Sequence, residues 1–228
     1  KRFKRIFPLL IFITSTIFIF YKFFGPPDLS TQKDYIYSLL GVSNIFFMVK
    51  KIDYFDNVFN NPYAHTWSLG VEEQFYLMFP VFLYFILKFF KFENTAKFFY
   101  TLILVSIIII FFVNLNLSTI FYLPFLRFWE FFFGCCIPFI KLKKNNFLSL
   151  IFLIIAFVII FFPININENE TIYLLHNILV VLFISNFFIY YEQKQNTNFI
   201  LRNKFLINLG NQSYSIYLWH LPVIYFVN

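Results

Sequence analysis

Long apolar runs follow one another along this chain with little between them: residues 6–24, 75–90, 98–113, 120–140, 147–162, 173–191, and a last run from Leu209 onward. A membrane-crossing helix takes roughly 20 residues, so about seven such helices consume well over half of the 228 residues and leave only short loops. With 60% hydrophobic and 13% charged residues, the polar surface is too small to coat a water-soluble domain of this length. The expected fold is therefore all-α, a polytopic transmembrane bundle of about seven spans.

The net charge of +7 raises nucleic acid as a partner. The Lys and Arg residues, however, fall between apolar runs, as loops on the cytoplasmic side of a membrane require, and nucleic-acid binding is set aside. The start, KRFKR followed by residues 6–24, imitates a signal peptide. Its apolar run is too long and ends in Phe-Phe-Gly-Pro-Pro without a cleavage site of small residues, so it reads as a span. Residues 35–49 are short for a crossing. If they lie in the interface or re-enter, the loops bearing Lys88, Lys91, Lys97, Lys141, Lys143, Lys144, Lys194, Arg202 and Lys204 share the cytoplasmic side with Lys1–Arg5, and the acidic loop 163–170 faces out. That arrangement leaves Lys33, Lys50 and Lys51 as exceptions outside. Cys135 and Cys136 are adjacent inside an apolar run and offer neither a disulfide framework nor metal-ligand spacing, so no metal site is expected.

Charges within the apolar runs carry the functional information. In HTWSLGVEEQFYLMFP, His65 to Pro80, Glu72 and Glu73 stand where an apolar span begins. Ionisable groups entering a bilayer mark a substrate path, a proton relay or a paired site; equally, these two could be first-turn carboxylates facing water in a helix capped by Ser68. His65 and Ser68, three apart, lack the strand-turn-helix context of a hydrolase nucleophile. Trp67 suits an interfacial aromatic belt. Arg127 and Glu130 lie three apart and share a helical face with Gly134, so they can form a neutralising pair or a site wall. His176 suits a membrane interface. Ser213, Tyr217 and His220, spaced by four and three, form a polar stripe on one face of the last run, structural or functional.

The wording TWSLGVEEQFYLMFP resembles the signature of the acyltransferase type 3 family, integral membrane enzymes that move acyl groups onto sugars of the bacterial envelope. RFWEFFFGC resembles that family's Arg-x-x-Glu-x-x-x-Gly element. QSYSIYLWHLP resembles its Ser-Tyr-Ser-x-Tyr-Leu-Trp-His-x-Pro element, and Arg2 with Arg5 its basic Arg-x-x-Arg element. The resemblance implies a multi-pass protein of the bacterial inner (plasma) membrane that uses acyl-CoA, most often acetyl-CoA, as co-substrate, with no bound cofactor. Arg2 and Arg5 would contact the acyl-CoA phosphates, for which guanidinium forks are suited. An envelope carbohydrate hydroxyl would be acylated beside Trp67, Ser68, Glu72, Glu73, Arg127, Glu130, Tyr217 and His220, with Arg127 also reaching the Glu72–Glu73 carboxylates.

In that family the catalytic histidine precedes the basic element. His65, His176 and His220 do not occupy its motif, so no residue of this chain is assigned as catalytic. The expectation is a single acyltransferase domain over residues 1–228, lacking about two N-terminal spans and one at the C-terminus. A polysaccharide or lipid-linked sugar transporter (a flippase) is the alternative. Intramembrane charges suit it too, but the chain has only five glycines and no evident repeat.

Overall fold

The computed structural model describes residues 2–25, 30–52, 61–89, 92–112, 116–140, 145–161, 170–191 and 203–227. Every regular element among them is helical: α1 (Arg2–Phe24), α2 (Ser30–Leu39), α3 (Ser43–Val49), α4 (Thr66–Phe89), α5 (Phe92–Phe112), α6 (Leu117–Tyr122), α7 (Pro124–Cys136) with a 3-10 turn at Ile137–Phe139, α8 (Asn146–Phe161), α9 (Glu170–Tyr190) and α10 (Lys204–Val227). The expected all-helical architecture is present. Within these residues, Lys4–Phe24, Thr66–Phe89 and Asn94–Phe112 are long and apolar enough to cross a bilayer, and Asn146–Phe161 and Leu175–Tyr190 are shorter apolar helices. Large apolar side chains point outward in quantity; Leu77, Phe112 and Phe161 are each at least 78% exposed. A surface of that kind suits a lipid surround.

Two stretches depart from single uninterrupted runs. Residues 35–49 break at Gly41, which adopts φ +66, a left-handed conformation that costs little only without a Cβ. The Gly41 N–H donates to the Ser38 carbonyl at 3.3 Å and the Val42 N–H to that of Tyr37 at 3.1 Å, a Schellman closure of α2. The resulting helices of 10 and 7 residues reach only about 15 and 10 Å at 1.5 Å per residue, well short of a ~30 Å hydrocarbon core. Residues 120–140, expected as one run, divide at Leu123, because a residue before proline avoids the helical region and Pro124 is suited to open the next helix.

The chain forms two compact units. The first holds residues 1–82, 118–124 and 204–228. Its core is built on Leu10, Ile13 and Ile17, one face of α1 at helical spacing, together with Phe47, Tyr63, Tyr122, Leu218 and Leu221, all buried. Tyr214 on α10 donates to the Ile6 carbonyl at 3.2 Å, tying α10 to α1. The second unit holds residues 83–117 and 125–203, centred on the α8–α9 pair. Asn145 caps α8 by accepting from the Phe147 and Leu148 N–H groups, while its own N–H donates to the Tyr190 carbonyl at 2.9 Å. Phe152 packs against Phe183 and Tyr190. His176 Nε2 meets the Ile159 carbonyl at 2.8 Å, which gives this histidine a helix-to-helix bond.

Candidate functional site

The start of α4 is held in place before any motif residue is reached. Thr66 donates to the Tyr63 carbonyl at 2.7 Å, and its hydroxyl is 2.8 Å from that of Ser38, which donates to the Asp34 carbonyl. The Asp34 carboxylate is almost fully buried. It receives Lys50 Nζ at 3.0 Å on one oxygen and Asn61 Nδ2 at 2.8 Å on the other. Asn61 Oδ1 accepts from the Tyr63 N–H at 2.9 Å, and the Tyr63 phenol donates to the Thr14 carbonyl of α1 at 3.2 Å. Burial raises the Tyr63 pKa well above the usual phenol value, so it stays a donor.

Because α4 begins at Thr66, Ser68 lies inside the helix and does not cap it, and Glu72 and Glu73 fall beyond its first turn. The reading of these two as capped first-turn carboxylates is thereby corrected. Ser68 instead has its Oγ 2.5 Å from the Tyr217 phenol oxygen, and that phenol donates to the His65 carbonyl at 2.5 Å. Tyr217 thus clamps α10 onto the entrance of α4. Trp67 is buried, packed on Phe121 with centroids 4.1 Å apart and edge-on to Tyr122; it serves this core and no exposed aromatic belt.

One turn along, Gln74 Nε2 donates to the Gly41 carbonyl and to Asn44 Oδ1, both at 2.9 Å, while Asn44 Nδ2 donates to the Tyr122 carbonyl at 3.1 Å. Asn44 is fully buried and Gly70 packs directly against it. The Glu73 carboxylate lies against Gly41, so the α2–α3 turn is seated on the acidic segment of α4.

His65 is 1% exposed, and its ring lies edge-to-face with Tyr217 at 5.7 Å and with His220 at 5.4 Å between centroids. Burial, and secondarily His220, push its pKa down to about 3, so the ring is neutral at physiological pH. His220 is exposed, with Nδ1 in contact with the Tyr217 carbonyl. Ser213, the third member of the expected stripe, is exposed and donates to the Gly210 carbonyl.

In the second unit Arg127 and Glu130 form the expected pair, with Nη2 2.8 and 3.1 Å from the two carboxylate oxygens. Both are partly buried, and no neighbour lies within 4 Å of where a Gly134 Cβ would sit. Arg5 is exposed; the Arg2 side chain, and the loops at 141–144, 162–169 and 192–202, lie outside the described residues. Among the described residues no cluster of three or more metal-ligating side chains occurs.

The His65, Ser68 and Tyr217 cluster and the Arg127–Glu130 pair each lie in a segment that carries the sequence signature, and comparison with known proteins bears on the same segments. The acyltransferase domain model of the acyltransferase 3 family matches residues 1–228. The chain belongs to this family. O-acetyltransferase OatA of Staphylococcus aureus strain NCTC 8325 / PS 47 is 30% identical over 246 residues, covering 100% of the chain and 40% of that protein. The putative O-acetyltransferase SACOL0978 of strain COL is 28% identical over 252 residues, covering 100% of the chain and 41% of its own length. The chain thus spans about two fifths of the relatives it matches. No solved structure matches it.

For an acyltransferase 3 chain, sequence reading alone passes over two of these features. His65 gains its neighbours from residues more than 150 positions away, and no periodicity links them. The Asp34 pair did leave a signal, since Lys50 is one of the lysines the charge bias fails to place, and its partner is the buried carboxylate.

Proposed function

We propose that residues 1–228 are the membrane-embedded acyl-transfer domain of an O-acyltransferase, which moves an acetyl group from acyl-CoA to a hydroxyl of a bacterial envelope carbohydrate. The observation that carries this reading is the uninterrupted family match across the whole chain, joined to relatives named O-acetyltransferases. Arg2 and Arg5 contact the acyl-CoA phosphates. Trp67, Ser68, Glu72, Glu73, Tyr217 and His220 serve acceptor binding and transfer, and Arg127 with Glu130 are needed for transfer. The chain crosses the inner membrane about seven times as one domain. A reporter inserted at Lys143 then reads cytoplasmic and one at Asn167 external; a common side for both overturns this topology.

The activity is tested at the intramembrane pair of the full-length gene product. Exchanging a buried ion pair for apolar residues of similar volume is often neutral for stability. Arg127→Met with Glu130→Leu should therefore insert and express normally while lowering acetyl transfer from acetyl-CoA to cell-wall glycan at least about 100-fold, the scale of lost transition-state electrostatics. Transfer retained within a few-fold makes the pair purely structural. Glycan carried across vesicle membranes without any acetylation would place the protein among transporters.

A further inference from the structure

The buried ring of His65 has an unmet chemical need that can be specified. Among the described residues neither of its nitrogens has a hydrogen-bond partner, a condition rare for a buried polar group. The Pro62 and Leu218 carbonyls act on the ring and favour its protonated form without reaching hydrogen-bond geometry. Pro222, inside α10, has no N–H to offer the Leu218 carbonyl four residues back, which leaves that oxygen uncommitted by the helix. Carbonyls only accept, so they can serve only the N–H side of a neutral imidazole. The other nitrogen is an acceptor. The Tyr217 O–H, on the ring edge-to-face with His65, donates to the His65 backbone carbonyl, and Ser68 Oγ also lies 3.5 Å from that carbonyl. What the ring lacks is a donor.

His220, exposed on α10, also presents an acceptor nitrogen. Its Nδ1 contacts the Tyr217 carbonyl, and since a carbonyl can only accept, Nδ1 carries the proton and Nε2 is the acceptor in the neutral ring. The rings stand at 73° with centroids 5.4 Å apart, without bonding to each other. His220 is exposed on α10, so its ring can turn aside and admit a small group to His65 without disturbing the core. A group bearing O–H donors can serve the acceptor nitrogen of each ring.

We propose that His65 and His220 form a two-imidazole subsite for hydroxyl groups of the carbohydrate acceptor. The assignment rests on the acyl-transfer reading for the identity of the ligand, whereas the donor requirement comes from the geometry alone. His65 contacts the acceptor from the buried side and His220 from the open side. The Tyr217 clamp sets their spacing, because its phenol joins Ser68 on α4 to the His65 backbone.

The test uses the full-length protein in detergent with a soluble N-acetylglucosamine tetramer as probe, titrated by tryptophan fluorescence in the absence of acyl donor. His65→Phe removes an unsatisfied buried imidazole for a ring of similar shape, so its melting temperature should equal or exceed that of the wild type. Its Kd should rise at least about tenfold, the scale set by one lost buried hydrogen bond. His220→Phe, at an exposed position, should raise Kd similarly with no change in melting, and decides the matter if His65→Phe fails to fold. Unchanged binding in His220→Phe or in folded His65→Phe, or no binding by the wild type, overturns the proposal. So does a melting temperature raised by Zn²⁺ in the wild type and not in His65→Phe, which would make the pair a metal site. Donor-free binding separates the two readings. His65-dependent binding without any acyl transfer leaves the subsite standing and removes the enzymatic activity, whereas transfer with unchanged acceptor dependence in His65→Phe removes the subsite alone.

Discussion

Asp34→Ala lowers stability by about 3–5 kcal/mol, the cost of breaking a buried pair and leaving one partner uncompensated. The carboxylate is only 4% exposed and holds both Lys50 Nζ and Asn61 Nδ2, so its removal strands a cation and an amide together. Through Asn61 the damage passes to Tyr63, whose carbonyl accepts from Thr66 at the start of α4. Thermal unfolding of the detergent-solubilised protein measures the loss. Adding Lys50→Met should recover a large part of it, since a pair removed whole is far cheaper than a pair broken. A loss below about 1 kcal/mol in the single variant would mean that this ion pair is solvated and weak.

Gly70→Val destabilises by about 2–5 kcal/mol, the sum of overpacking and of hydrogen bonds left unmade. Even a first added carbon at Gly70 would stand 2.6 Å from Asn44 Oδ1 and 3.1 Å from the Gly41 carbonyl. Both oxygens are the acceptors of Gln74, so neither can move away without breaking the seat of the α2–α3 turn. Gly210→Ala is the matched control. Nothing lies within 4 Å of its Cβ position, and in the interior of α10 alanine should gain up to about 1 kcal/mol over glycine. Melting temperatures moving in opposite directions for the two variants are the expected result; equal shifts would contradict the close packing at Gly70.

The features legible in the sequence were those that depend on local spacing. Arg127 and Glu130 pair because three residues place them on one face, whatever the rest of the chain does. The brevity of residues 35–49 was visible too, and Gly41 supplies its cause. Spacing failed where a tertiary partner decides the outcome. Ser213, Tyr217 and His220 share a stripe by number, yet only Tyr217 and His220 approach His65, while Ser213 turns to its own helix. Ser68 looked like a cap because serine commonly is one; Thr66, held by Ser38 and the Tyr63 carbonyl, starts the helix two residues earlier. Trp67 had the composition of an interfacial residue and found Phe121 and Tyr122 instead.

The Tyr217 clamp also sets an order of assembly. Its phenol meets a carbonyl 152 residues upstream, whereas the Asp34, Ser38, Lys50, Asn61 and Thr66 contacts span at most 28. A chain emerging from the ribosome can close the short network around the entrance of α4 early, since nearby partners meet at little entropic cost. His65 is then already in place, but the ring facing it arrives only with α10, more than 150 residues later. Any protein molecule halted before α10 is therefore prepared on one side of this pair and open on the other, and the two imidazoles meet only after α10 has been made.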